Sequence, residues 1–232
     1  MCGRFAASSS AEDLVEFFEI DEVVEPLPAP SYNVAPTSPI AAVLAQVGES
    51  RAQRRLAALR WGLVPSWAKD PDHGARLINA RVETVAEKPS FRAALARRRC
   101  LIPADGYFEW RAHTPALGKP VKQPYFIAPR NGQPLAMAGL YEYWRGPDGS
   151  WLVTAAIITT EATDELGLVH DRMPMVVPPQ HWDTWLDPEV RGPVTELLTA
   201  PTAEVRFHPV SQAVNRVAND GPQLLEPIEL PE

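Results

Sequence analysis

Residues 124–160 read PYFIAPRNGQPLAMAGLYEYWRGPDGSWLVTAAIITT. Three apolar runs, 124–128, 135–144 and 151–160, are separated by short stretches rich in Gly, Pro, Asn and Asp. Those residues supply turn geometry, so each run predicts a β-strand. VTAAIIT at 153–159 is apolar throughout, which suits a central strand buried on both faces. No helical period intervenes between the three runs, so no crossover helix joins them. Strands that follow one another this way favour antiparallel pairing and an α+β class.

Outward from this stretch the pattern continues. CLIPADGYFEW, 100–110, predicts a strand, a turn and a second strand. Residues 40–47 and 56–64 predict two more strands, Pro65 closing the second, and 205–211 a last one. SSSAEDLVEFFEI, 8–20, predicts a helix, with Ser9 or Ser10 as its cap and Leu14, Phe17 and Phe18 on one side. FRAALARRR, 91–99, predicts a short helix with arginines in its last turn. Short helices are also expected over 180–186 and 190–199. Residues 25–39 hold five prolines and predict a long ordered loop. INARVETV, 78–85, alternates; if extended, it sets Asn79, Arg81 and Glu83 on one face. The chain is expected to be one domain over 1–220, followed by a Pro-rich, acidic and peripheral tail over 221–232.

The chain has 232 residues, 45% of them hydrophobic, enough for a substantial core. Its 25 prolines are about twice the usual share of ~5% and predict many ordered loops. No run is long and apolar enough to span a bilayer, and the N-terminus lacks a secretory pattern. Two cysteines, Cys2 and Cys100, are too few for a disulfide scaffold and fit a reducing cytoplasm. No CxxC pair or HExxH is present, so no metal site is expected. The net charge of −7 excludes a protein that coats nucleic acid over its whole surface, though not a local basic groove.

Four groups could carry chemistry. Cys2 follows the first methionine, and its side chain is small enough for Met1 to be removed. The product would carry an amine of pKa about 7.7–8.0 and a thiol of about 8.5 on adjacent carbons. Such a 1,2-aminothiol condenses with an aldehyde to a Schiff base and then closes to a thiazolidine. An incidental terminal cysteine is the plain alternative. NARVET at 79–84 puts an amide, a cation and a carboxylate on one wall, or forms a solvated sheet face. In ADGYFEW at 104–110, Asp105, Tyr107 and Glu109 share a face if extended. An apolar setting between Phe108 and Trp110 would raise the Glu109 pKa toward general acid–base use. In HDRMP at 170–174, Pro174 biases Met173 toward extended backbone. His170 and Arg172 then point the same way, a pairing suited to a phosphate or to proton transfer. His73, His113 and His181 have no comparable neighbours and are read as surface or loop residues. Trp67, in a loop bounded by Gly62 and Pro65, either anchors that loop or stacks on a base.

The segments MCGRF (1–5), YNVAPT (32–37), RWGLVPSW (60–67), INARVET (78–84), LIPADGYFEW (101–110), VTAAIITT (153–160), HDRMPMVV (170–177) and HPVS (208–211) resemble those of the SRAP family (SOS response-associated peptidase), in the family's order. The resemblance covers nearly the whole chain. It implies a compact α+β fold with an open, barrel-like antiparallel core flanked by short helices. It also implies single-stranded DNA carrying abasic sites as partner, no cofactor, and a cytoplasmic monomer that joins the nucleoid when bound to DNA. By motif, Cys2 would attack the sugar aldehyde and end as a thiazolidine crosslink. Asn79 would orient the terminal residue and the sugar, Glu109 would move protons, and His170 would assist at the sugar and phosphate. Arg4, Arg81 and Arg172 would hold phosphates, Trp67 would stack on or wedge between bases, and Asn33 would line the groove. For an acidic chain this requires Arg4, Arg81 and Arg172, together with Arg97, Arg98 or Arg99, to cluster in space.

Three rivals remain at this level. An N-terminal-nucleophile hydrolase of the glutamine amidotransferase kind also begins MCG. A papain-like hydrolase would use Cys2 or Cys100 with His170 and a glutamate. A noncovalent single-strand DNA binding module would not need Cys2.

Overall fold

A computed structural model describes residues 2–46, 53–113, 121–162, 164–201 and 205–230. Along the chain the strands are β1 (Phe5–Ala7), β2 (Glu22–Val23), β3 (Ser31–Val34), β4 (Pro39–Gln46), β5 (Gln53–Trp61), β6 (Asn79–Arg81), β7 (Arg99–Ala104), β8 (Gly106–His113), β9 (Val121–Pro129), β10 (Leu135–Arg145), β11 (Trp151–Glu161), β12 (Arg172–Pro174) and β13 (Val205–Pro209). The α-helices are short: α1 (Ala11–Phe18), α2 (Arg92–Arg97), α3 (Asp164–Gly167) and α4 (Trp182–Leu186). The stretch expected to be helical over 190–199 forms only a 3-10 turn at Val194–Leu197.

The long hairpin β10–β11 runs in register from Gly139 opposite Ile157 to Arg145 opposite Trp151. β7 pairs with the other edge of β10, β4 with β7, and β5 with β4. β5 then returns to β11, Arg60 beside Thr154 and Trp61 beside Ala155 in parallel. The α+β class and the barrel-like core hold, and this last pairing closes the ring that was expected to stay open. Alternate residues of the ring strands feed two cores. Val43, Leu56, Leu101, Leu140 and Ile158 pack with α1, α2 and α4. Ile40, Leu59, Trp61, Ile102, Met137 and Ile157 pack with Phe5 and Tyr107. Burial on both faces is why VTAAIIT lacks the alternation of a half-exposed strand.

A second sheet runs β13-β9-β8-β1-β3. Its edge strand β3 lies within 25–39, which had been expected to be loop throughout. The four residues Ser31–Val34, between Pro30 and Pro36, keep their amides and pair with β1 at a sheet edge, where neighbouring prolines do no harm. β6 is also shorter than the alternation implied. Val82 N–H makes the last bond to Thr159, and the amides of Thr84 and Lys88 then turn back onto Arg81 and Thr84. Within the described part of the tail, Leu224 is buried, Pro227 bridges Val210, and the Leu225 carbonyl bonds His208 Nε2, while the other residues are half-buried or exposed.

Candidate active site

The N-terminal segment lies along β8. Phe5 pairs with Tyr107, Ala6 with Gly106, and Phe108 N–H donates to the Arg4 carbonyl at 2.9 Å. Just beyond that ladder the Cys2 thiol lies close enough to Glu109 to feel its charge. From the other side, the parallel pairing of Asn79 with Ile157 holds β6 against β11, and Asn79 Nδ2 donates to the Cys2 carbonyl at 2.8 Å. The Asn79 Oδ1 is buried and has no hydrogen-bond partner among the described residues. His170 precedes β12, which pairs with β11 at Thr159–Glu161. Its Nε2 lies 3.7 Å from Glu109 Oε2. Four segments far apart in sequence thus bring Cys2, Asn79, Glu109 and His170 together.

Burial sets the electrostatics. Cys2 is fully buried, and desolvation pushes its thiol well above the usual range. The nearby Glu109 charge adds to this, and the Arg4 backbone N–H opposes it. The resting form is therefore the neutral thiol. Glu109 is 2% exposed, and desolvation raises its carboxyl from an ordinary 4.5 to about 7. It can hold or release a proton near neutrality. Burial lowers the pKa of His170. Its Nδ1 is 3.0 Å from the Arg172 amide and 2.9 Å from Asp171 Oδ1. The amide hydrogen is fixed and the ring's is not, so in the neutral ring Nδ1 accepts from Arg172. The ring proton then sits on Nε2, toward Glu109. Tyr107 is fully buried on the Glu109 face of β8; its hydroxyl has no hydrogen-bond partner among the described residues, and its pKa is raised by burial and by Cys2 and Glu109.

The residues expected to bind DNA fall into two groups. Arg81 and Trp67 are exposed, Trp67 at 59% with its ring edge-on to His73. Its loop rests on close backbone packing: Gly62 has a φ of +119°, and a Cβ on Gly74 would lie 2.4 Å from the Gly62 carbonyl oxygen. The others are internal braces. Arg4 donates to Asn33 Oδ1 at 2.8 Å and to the Val214 carbonyl at 2.9 Å. Asn33 is buried and spends its amide on the carbonyls of Val214, Arg216 and Asn219. Arg172 is 8% exposed and bonds both carboxylate oxygens of Glu83. His170 and Arg172 therefore do not share one phosphate-facing side, because their side chains are taken by Glu109 and Glu83 respectively. Arg81 and Arg172 both lie against Thr159 of β11, but the other arginines of the expected cluster have partners of their own. Arg99 is buried on the carbonyls of Leu95, Ala96, Trp185 and Asp187, Arg98 pairs with Glu142 at 2.7 Å, and Arg97 ends α2.

Two contributors escaped the sequence reading. Lys122, exposed on β9, is near enough for its charge to oppose protonation of His170. Nothing in the sequence signals that proximity. Glu83 was read only as part of a polar wall, although its two-residue spacing from Arg81 was visible. Cys100, a nucleophile in one rival scheme, is fully buried with its sulfur against Gly139. Met1 and the His113 side chain lie outside the described residues. Among the described residues no group of three or more His, Cys, Asp or Glu is placed to hold a metal, and no helix is long and apolar enough to cross a membrane.

Residues 1–217 match the profile of the SOS response associated peptidase (SRAP) family. The chain is 40% identical over 230 residues to abasic site processing protein YoqW of Bacillus subtilis (strain 168), covering 97% of this chain and 99% of that one. It is 35% identical over 238 residues to abasic site processing protein YedK of Escherichia coli (strain K12), covering 98% and 100%. A crystal structure of a protein from Bacteroides thetaiotaomicron superposes with a TM-score of 0.82 at 25% identity, over 98% of this chain and 100% of that one.

Proposed function

The chain belongs to the SRAP family, and on that premise we propose that it processes abasic sites in single-stranded DNA by forming a covalent crosslink through Cys2. The observation that carries this reading is the meeting of Cys2 and Asn79 with a carboxyl titrating at about 7. An abasic site offers no base to read, so recognition falls to the aldehyde, the backbone and the interrupted stack. Single-stranded DNA presents all three without the cost of opening a duplex.

The elevated thiol pKa gives the order of steps. Once Met1 is released, by this protein or by a methionine aminopeptidase, the Cys2 amine is the available nucleophile. It adds to the sugar aldehyde, and loss of water leaves an imine. The thiol then adds across the C=N bond: sulfur bonds to carbon, and the thiol proton ends on nitrogen. The product is a thiazolidine. Glu109 takes and returns protons in both steps, with the Nε2–H of His170 beside it. Asn79 fixes the Cys2 backbone, and its unfilled Oδ1 is available to a sugar hydroxyl. Arg81 and Lys122 supply cations for flanking phosphates, and Trp67 a stacking face. Arg4, Asn33 and Arg172 act from behind as braces. One copy of the chain supplies the whole site, and no step needs a metal. Strand cleavage at the abasic site would be a lyase reaction of the same imine.

The test is denaturing electrophoresis of the purified protein with a single-stranded oligonucleotide carrying one abasic site, after intact mass has established the loss of Met1. A slow species that survives denaturant, needs the aldehyde and disappears with Cys2→Ala is expected. Cys2→Ser should leave only an adduct that must be trapped by borohydride. Protein lacking Met1 that forms no adduct, yet hydrolyses glutamine or peptides, would replace this reading with the N-terminal-nucleophile hydrolase.

A further inference from the structure

Arg172 lies between two jobs. Its side chain is 9% exposed, and Nη1 and Nη2 donate to the two Glu83 carboxylate oxygens at 2.8 and 3.0 Å. Nη2 also donates to the Thr159 carbonyl at 2.8 Å. A planar guanidinium held on three acceptors has one orientation, and the β12 backbone that carries it is fixed as well. The amide of that same residue donates to His170 Nδ1 at 3.0 Å. A ring that accepts at Nδ1 keeps its proton on Nε2, the nitrogen 3.7 Å from Glu109. Glu83 thus stands at one end of a chain of contacts whose other end is the carboxyl that moves protons.

We propose that Glu83 is a positioning residue for the abasic-site reaction: by anchoring Arg172 it holds His170 in the Nε2–H form that faces Glu109. The inference rests on the function proposed above. The bond from Arg172 keeps the Glu83 carboxyl below the usual carboxylate range, so the anchor stays ionised at neutral pH. The Glu83 side chain is 42% exposed, and a carboxylate at the surface repels phosphates rather than holding them. A carboxylate kept there works against binding, and its use is in the chemistry. Removal should therefore separate two quantities that usually fall together.

The experiment compares Glu83→Gln and Glu83→Ala with wild type in two assays. One is the dissociation constant for an undamaged single-stranded oligonucleotide. The other is the single-turnover crosslinking rate at saturating protein on the same oligonucleotide with one abasic site. Both variants should bind the undamaged strand at least as tightly as wild type. Glu83→Ala should crosslink roughly 10- to 100-fold more slowly, the scale expected when a reacting group loses its alignment. Glu83→Gln keeps an acceptor for Arg172 and should recover part of that loss. If Glu83→Ala proves unable to fold, Glu83→Gln must still show the split, with its melting temperature checked in parallel. An unchanged saturated rate in Glu83→Gln and Glu83→Ala overturns the inference. So does a loss of affinity matching the loss of rate, which would make Glu83 part of the scaffold. Failure of wild type itself to crosslink refutes the underlying function instead.

Discussion

Replacing Glu109 with glutamine should make the protein's stability less dependent on pH, by an amount the structure gives. In the unfolded chain the carboxyl titrates at its ordinary value of 4.5, and in the fold burial raises it to about 7. Below pH 4.5 both states hold the proton, and the group does not discriminate between them. Between 4.5 and 7 the unfolded state releases its proton while the fold retains it, so stability falls by ~1.4 kcal/mol per pH unit. Above about 7 both states are ionised, and the accumulated loss levels off at roughly 3 kcal/mol. Glutamine has the same shape and no proton to lose. The stability of Glu109→Gln relative to wild type should therefore rise by roughly 3 kcal/mol between pH 4.5 and pH 8. For a chain of this length that is a widening of the melting gap by roughly 6–12 °C. Urea titrations or calorimetry of both proteins at the two pH values measure it. Comparing one gap with the other cancels any pH-independent effect of the amide. A gap that stays constant, or narrows as pH rises, would refute the premise that the fold holds this carboxyl against its ionisation. The same variant should crosslink abasic DNA roughly 10²- to 10⁴-fold more slowly, the usual worth of a general acid–base group.

Other substitutions separate binding from scaffold. Trp67→Ala should weaken single-strand binding by about 1–3 kcal/mol, one stacked base, and leave the melting temperature unchanged because the ring is 59% exposed. Arg81→Ala should reduce the slope of log affinity against log salt by ~0.7, one phosphate contact on a single strand. Once the covalent adduct has formed, salt should have no effect on it. Gly74→Ala should destabilise the fold by about 1–3 kcal/mol, since the new Cβ would sit 2.4 Å from a backbone oxygen that cannot yield cheaply. Asn33→Ala should lower stability by about 1–3 kcal/mol by removing the side-chain donor to the Asn219 carbonyl and the Oδ1 acceptor of Arg4, with affinity for undamaged DNA falling only through the loss of fold.

The elements read best from the sequence are those whose stability is local or whose environment is uniform. The Ser10 cap of α1 was visible because capping uses residues three apart. The hairpin β10–β11 was visible because its turn residues and apolar runs adjoin. Ring closure was not visible, since the pairing of β5 with β11 joins residues more than ninety positions apart and changes no local pattern. The same holds for β3, whose partner is set by the N-terminus rather than by its own four residues.

The chemistry divides along the same line. Phe108 and Trp110 suggest a raised pKa for Glu109, yet they point to the other face of the strand; the burial of Glu109 comes with Tyr107, two residues before it on its own face. Sequence gives the charge of a side chain but not its partner, and Arg4, Arg99 and Arg172 are all spent on acceptors from distant segments. What those bonds accomplish bears on function. Arg4 and Asn33 tie the N-terminal strand and β3 to the segment around Val214, and Asn79 holds Cys2 from the opposite side. An N-terminus is ordinarily the part of a chain freest to fray. Here the residues next to it are bonded from several directions, so Cys2 is fixed beside Glu109. Under the function proposed above, an amine and a thiol meet one aldehyde in turn, and that immobility would keep the reacting groups in position between the two steps.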